Sequence, residues 1–364
     1  MILAALLVAG ALWFSLRYAW WRPVVDRRFP RILMYHMIAD ARPGARFNGL
    51  RVAPQMFERQ LRWLSEQGWK SFTVSDLVQQ AGTLPAKAFA ITFDDGYRSI
   101  YEAAWPLLKR RGWPFTVFVN SAPHDRGSPL FMSWDQLREL SEGGATIANH
   151  TVSHPHLLER LPGQDEAAWR RWVMSEITDA QARIRQEIGA APKLFAWPFG
   201  EFDAALVDVL GELGFTGFGQ QSGPLAVFSD PRVLPRFPFG GPYGDREDFV
   251  AKVETLPMPL AAGGDSIRLL TASGQPLEDA VLAPPDRPIL MLRLAADFDP
   301  TRVECFVSGQ GSAALRIEDE WVRVQAERPL SIGRARYNCT APSAEAGRFH
   351  WFSQSWIVRQ EPPQ

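Results

Sequence analysis

Two places in the sequence concentrate side chains that can do chemistry. In Ile91-Thr92-Phe93-Asp94-Asp95-Gly96 two carboxylates leave an apolar run and the chain turns on a glycine. In Asn149-His150-Thr151-Val152-Ser153-His154 two imidazoles stand at i and i+4 after a second apolar run. Adjacent acids at a strand end, taken alone, read equally well as a helix cap or a turn. The histidine pair changes the weighing, because residues one helical turn apart share a face, the spacing that two ligands of one metal ion need. An Asp from another strand end would complete a two-histidine, one-carboxylate site with open positions for water and substrate.

Such convergence needs a scaffold that ends several strands at one place. Short apolar runs at 31–35, 89–93, 115–119, 146–148 and 194–197 read as buried strands. Helical patterns fill the gaps: 56–67 stopping at Gly68, 101–111 stopping at Gly112, a helix opened by Ser133 with Gln136 three residues on, a long helix over 165–188 stopped by Gly189, and one capped by Asp203. This alternation predicts an α/β fold with a parallel sheet, open or closed into a barrel, and active groups at the C-terminal ends of its strands. A proline-rich stretch from 233 to 259 then reads as a linker. Beyond it, strand patterns at 266–271, 288–295, 302–307, 313–317, 320–325 and 349–358 predict a small all-β, sandwich-like domain over 262–360.

Composition narrows the function. With 39 Lys+Arg against 40 Asp+Glu and a formal charge of -1, there is no global electrostatic argument for binding nucleic acid. Two cysteines exclude a Cys-rich zinc module or a disulfide scaffold; Cys305 and Cys339 are either bridged, which requires an oxidising compartment, or two buried thiols. Residues 1–22 read as a single-pass membrane anchor, with a cleaved signal peptide as the competing reading. Arg17, Arg22, Arg27, Arg28 and Arg31 all follow the apolar run, which by the positive-inside rule puts the bulk of the chain in the cytoplasm.

The residues also carry a family resemblance. Thr92-Phe93-Asp94-Asp95-Gly96 resembles the first motif, and His150-Thr151-x-x-His154 the second, of the polysaccharide deacetylases of carbohydrate esterase family four, the NodB-homology domain. Trp197-Pro198-Phe199-Gly200 is similar to the end of its third motif, and Leu33-Met34-Tyr35-His36 is closest to the poly-N-acetylglucosamine deacetylase subgroup, in which the domain looks circularly permuted. The resemblance covers roughly 30–255 and implies a distorted (β/α)7-type barrel.

Carried over by position, it implies that Asp95, His150 and His154 hold a divalent ion, most often Zn2+, with Co2+, Ni2+ or Mn2+ as substitutes. Asp94 is then the general base, and the Phe199 backbone N–H stabilises the oxyanion. His36 is the candidate proton donor to the leaving amine, and Trp197 and Tyr35 are candidates to contact sugar. The third motif usually carries an arginine that orients the base; Ala196 stands there, and Arg236 is the candidate replacement. The implied reaction is hydrolysis of the N-acetyl amide of N-acetylhexosamine units in a polysaccharide or lipid-linked glycan, for which an outer membrane face is slightly favoured. A glycosidase reading fails for want of a second acid partner across a bond, and an iron oxygenase does not suit the α/β order. A catalytically impaired glycan-binding or scaffold protein is the alternative, motivated by the missing arginine.

Overall fold

The computed structural model describes residues 29–80, 83–160 and 163–359. The membrane-anchor expectation for 1–22 lies outside them; among the described residues no helix is long and apolar enough to cross a membrane. The first sheet contains β1 (Arg31–Tyr35), β2 (Ala88–Asp94), β3 (Thr116–Val119), β4 (Thr146–Asn149), β5 (Leu194–Ala196), β6 (Thr216–Phe218) and β7 (Phe237–Pro238). They lie in the order β7-β1-β2-β3-β4-β5-β6, all parallel, with Lys70–Ser71 also paired to β2. Helices cover one face and the curvature of the sheet encloses the other. Every residue of β1, β2, β3 and β5 is therefore buried, and these strands read as continuous apolar runs. Leu234 exchanges backbone hydrogen bonds with Gly217 and Gly219, which ties β6 to the segment entering β7, and β7 pairs with β1. The sheet thus curls round on itself as a distorted (β/α)7 barrel.

Helix starts follow local chemistry. Ser133 and Gln136 form a complete capping box at Trp134–Glu142. Asp165 caps α1 (Glu166–Ile188), whose last turn ends on the left-handed Gly189. The buried stripe Trp169, Val173, Ile177, Ala180 and Ile184 lays α1 against the sheet.

The proline-rich stretch is not a linker. It contains β7, the helix Arg246–Val253 and the strand Leu256–Pro257, which pairs with the C-terminal sheet. Proline has no N–H to give a ladder, but its carbonyl still accepts, so two-residue strands survive in proline-rich text.

Beyond it two sheets pack face to face. One includes β8 (Glu304–Val307), β9 (Gly333–Pro342) and β10 (Phe349–Val358); the other is Ile267–Leu270, Ile289–Arg293, Trp321–Gln325 and Ala314–Glu318. Their shared core contains Leu290, Leu292, Val322 and Val324 from one sheet and Val307, Tyr337 and Trp356 from the other. Cys305 and Cys339 lie directly opposite across β8 and β9, Cα atoms 4.0 Å apart, and form a disulfide.

Candidate metal centre

β2 and β4 end side by side at the top of the barrel, separated only by β3. β2 stops in a double left-handed turn, Asp95 at φ 71 and Gly96 at φ 73. Only glycine fits the second position, because a Cβ there would stand 2.7 Å from the His124 ring. β4 ends at the buried Asn149, whose Oδ1 accepts the Thr151 N–H at 2.9 Å, while its amide donates to Ile177 O at 2.8 Å and Gln181 Oε1 at 3.0 Å on α1. Glu176, also on α1, accepts the N–H groups of Val152 and Ser153 and the Ser153 hydroxyl.

The segment carrying the two histidines is therefore an irregular loop moulded onto α1 and not the helical turn the spacing predicts. Left-handed backbone at Thr151 (φ 71) and His154 (φ 57) replaces helical rise in bringing the imidazoles together. Six non-glycine residues among those described have such backbone, and four of them, Asp95, Thr151, His154 and Phe199, surround this one place. Each costs about 1–2 kcal/mol, which the surrounding hydrogen bonds must offset.

Asp95, His150 and His154 each present one ligand atom, all within 4.8 Å of one another. Both Nε2 atoms stand 3.4 Å from Asp95 Oδ1. His150 donates Nδ1–H to Ala196 O at 2.7 Å, leaving its Nε2 lone pair facing Asp95. Asp95 Oδ1 and His150 Nε2 are buried with no hydrogen-bond partner, the condition that a divalent cation at their common point would satisfy. Burial raises the Asp95 pKa, but contact with His150 and the charges of His36, His150 and His154 hold the carboxyl far below its usual range. His154 is driven down to about 4 by burial and by His150 and is neutral at pH 7; for His150, burial is outweighed by the two aspartates and its pKa rises.

Asp94 is fully buried, and Arg236, equally buried, grips both of its oxygens at 2.7 Å. The guanidinium also donates to Gly219 O at 2.8 Å and to the Thr92 hydroxyl, and it lies over the Phe118 ring. Burial alone would raise the Asp94 pKa; the Arg236 charge, reinforced by His150 and by the Arg236 hydrogen bonds, keeps it lowered.

His36 follows β1 directly, and because Tyr35 is in register with Phe93, it comes beside the two aspartates. It is buried, and desolvation lowers its pKa despite Asp95 and Asp94. Phe199, half-buried at φ 58, sets its ring edge-on to His154 with centroids 4.4 Å apart.

Two expected sugar contacts are elsewhere. Trp197 is wholly buried, donates to Arg232 O and packs edge-on against Phe195, so no ring face is free. Tyr35 is wholly buried between sheet and helices, stacked on Phe239, with its hydroxyl donating to Gln60. Both lie on strands or turns covered on both sides, where an aromatic is core. In the C-terminal domain Tyr337 and Trp356 face inward, into the core between the two sheets.

The sequence reading missed Asn149, Glu176 and Tyr97. Asn149 was legible as a turn-forming residue at a strand end. Glu176 was visible only as a carboxylate beside the buried stripe of α1. Tyr97 is buried next to Asp95, and burial together with that charge keeps its hydroxyl protonated.

Residues 81–218 match the polysaccharide deacetylase family model. They form a polysaccharide deacetylase domain. This domain is similar to the poly-beta-1,6-N-acetyl-D-glucosamine N-deacetylase of Escherichia coli K12, 25% identical over 240 residues, 56% of this chain and 35% of the relative. The protein of that name from Staphylococcus aureus MSSA476 is 24% identical over 194 residues, 51% of this chain and 66% of the relative. The chain thus spans about a third of the first relative's length and less than two thirds of the second's. Among solved structures, the Streptococcus pyogenes deacetylase PplD in complex with acetate superposes with a TM-score of 0.55 at 22% identity, over 62% of this chain and 98% of that one. The deacetylase domain therefore shares its fold with that protein.

Proposed function

We propose that the protein is a metal-dependent carbohydrate N-deacetylase, hydrolysing the N-acetyl amide of N-acetylhexosamine units in a polysaccharide or lipid-linked glycan. The observation that carries this reading is the convergence of Asp95, His150 and His154 on one point beside an Asp94 held ionised by Arg236. The names of the two relatives support the substrate class.

Asp95, His150 and His154 would hold the ion, for which zinc suits the borderline nitrogen and oxygen donors. When bound, such an ion polarises a carbonyl oxygen and lowers the pKa of water from 15.7 toward about 7. Asp94, ionised and with a lone pair left on each oxygen, takes the proton from the attacking water; Arg236 fixes the carboxylate plane during that transfer. The Phe199 N–H, on a turn at the edge of the His154 ring, donates to the developing oxyanion. His36, neutral at pH 7 and next to both aspartates, receives the proton that Asp94 took from water and delivers it to the leaving amine, which returns Asp94 to its ionised state. The scaffold alternative rested on the arginine missing at Ala196; with Arg236 gripping the base, that motive is gone.

Metal analysis of the purified chain together with acetate release from an N-acetylglucosamine oligomer tests the reading. A metal-free protein that releases no acetate after reconstitution with zinc, cobalt, nickel or manganese would overturn it. We further propose that residues 1–22 anchor the chain with the domain on the outer face, supported by the disulfide. Alkaline phosphatase and fluorescent-protein fusions to Gln364 test that orientation, and a reporter active only in the cytoplasm refutes it.

A further inference from the structure

The all-β domain reaches into the candidate centre. From β9, Arg334 extends across the domain boundary to the turn that carries Phe199. Its guanidinium donates to Phe199 O and, at 3.1 Å, to Gln220 Oε1; its Nε stands 3.9 Å from Glu201 Oε1, and its Cζ lies 5.9 Å from the Phe199 ring centroid. Glu201 accepts the Nδ1–H of His156 at 2.8 Å, and the His156 ring lies flat on Phe199, 3.9 Å away and 5° from parallel. Phe199 is thus held at its carbonyl by Arg334 and at its ring by a histidine that the Arg334–Glu201 contact steadies.

This grip acts on a residue that needs it. Phe199 sits at φ 58, ψ -1, where a side chain with a Cβ is unfavourable by about 1–2 kcal/mol, followed by Gly200 at φ 70. Left alone, the turn would relax toward negative φ and redirect the Phe199 N–H. We propose that Arg334 is a positioning residue for the reaction: by holding the Phe199 carbonyl it fixes the direction of the neighbouring N–H donor, so the C-terminal domain completes the site. This inference rests on the role proposed for Phe199. Arginine suits the task because its Nη1 serves both acceptors while Nε stays near Glu201 and the charge stands over the Phe199 ring, spread over a planar group that a lysine lacks.

The test uses the full chain and Arg334→Ala, with Arg334→Lys and Arg334→Gln keeping the question open to experiment if the alanine variant does not fold. Amide hydrogen exchange across 197–202 should quicken in Arg334→Ala while metal content and melting temperature hold. On an N-acetylglucosamine oligomer kcat should fall about 10- to 100-fold, below the ~10²–10³ seen when an oxyanion donor is deleted outright, with KM within about threefold. Guanidinium ion added to Arg334→Ala should restore part of kcat, and lysine less than arginine. Unchanged exchange across 197–202, or a loss confined to KM, overturns the proposal. If the wild-type chain releases no acetate from any oligomer, the functional reading falls while the exchange measurement still decides whether Arg334 holds the turn.

Discussion

Arg236 and Asp94 meet in a two-pronged pair with both contacts at 2.7 Å and both side chains sealed from solvent, although 142 residues separate them. Such a pair is expensive to break from one side, because the survivor is a buried charge without a partner.

Arg236→Met should therefore destabilise the protein by about 3–5 kcal/mol at neutral pH, read in denaturant melts. In the wild type the folded Asp94 pKa lies below 3.8, so the stability it contributes is fully present above that value and is lost as pH falls through the folded pKa. In the variant, burial dominates and the pKa rises, so the acid limb of the kcat profile should move to higher pH. An unmoved limb would remove Asp94 from the proton transfer.

Asp94→Asn keeps the shape and removes the base. It should retain the metal and lose activity by about 10²–10⁴-fold. Undiminished turnover would refute the assigned mechanism.

His36→Gln should bind the ion as the wild type does and lose about 10²–10⁴-fold in kcat. A variant that also loses the metal would show His36 to be a ligand and not a proton carrier.

One divalent ion per chain should bind, and Asp95→Ala should abolish binding. His150 has a raised pKa in the ion-free protein and ligates only as the neutral imidazole, so affinity should fall as pH drops below that pKa, where binding must expel its proton. Calorimetry in two buffers of different ionisation enthalpy, run as pH is lowered, reads the proton count, and a count that does not rise as affinity falls contradicts the ligand assignment.

Asn149→Ala leaves the buried Thr151 N–H without its acceptor and removes the donor to Ile177 O and Gln181 Oε1, at about 1–3 kcal/mol. Because Asn149 shapes the histidine loop without touching the ion, metal affinity should fall about 10- to 100-fold. Equal affinity would mean that Glu176 alone holds the loop.

The barrel was legible where local rules and burial agree. Strands β1 to β5, the Ser133 capping box and the Gly189 stop each follow from a few adjacent residues, and each stands within a residue or two of its expected bounds. β6 and β7 were not, being three residues with a glycine and two with a proline, too short for any periodicity to register. β9 was missed although its outward Arg334, Arg336, Asn338 and Thr340 alternate with buried Ala335, Tyr337, Cys339 and Ala341, because half of that pattern is polar or small.

For the site, spacing named His150 and His154 and the family resemblance chose Asp95, but the geometry that unites them is unhelical and comes from the neighbouring Asn149 and from Glu176, on a helix that only tertiary structure brings near. Trp197 and Tyr35 were misread because a strand buried on both sides looks the same in sequence as a groove wall. Arg334 left no local signal at all.

The position of Arg236 has a consequence for biogenesis. It rides on the segment that leads into the last strand of the barrel and closes the circle, while its anionic partner has been waiting since the second strand. Until that closure the nascent barrel holds a naked carboxylate at its heart, which favours an open, hydrated form. A chain stalled before residue 236 can thus neither close the barrel nor hold the Asp94 carboxylate in place, and one stalled before residue 334 would still lack the grip on the Phe199 turn.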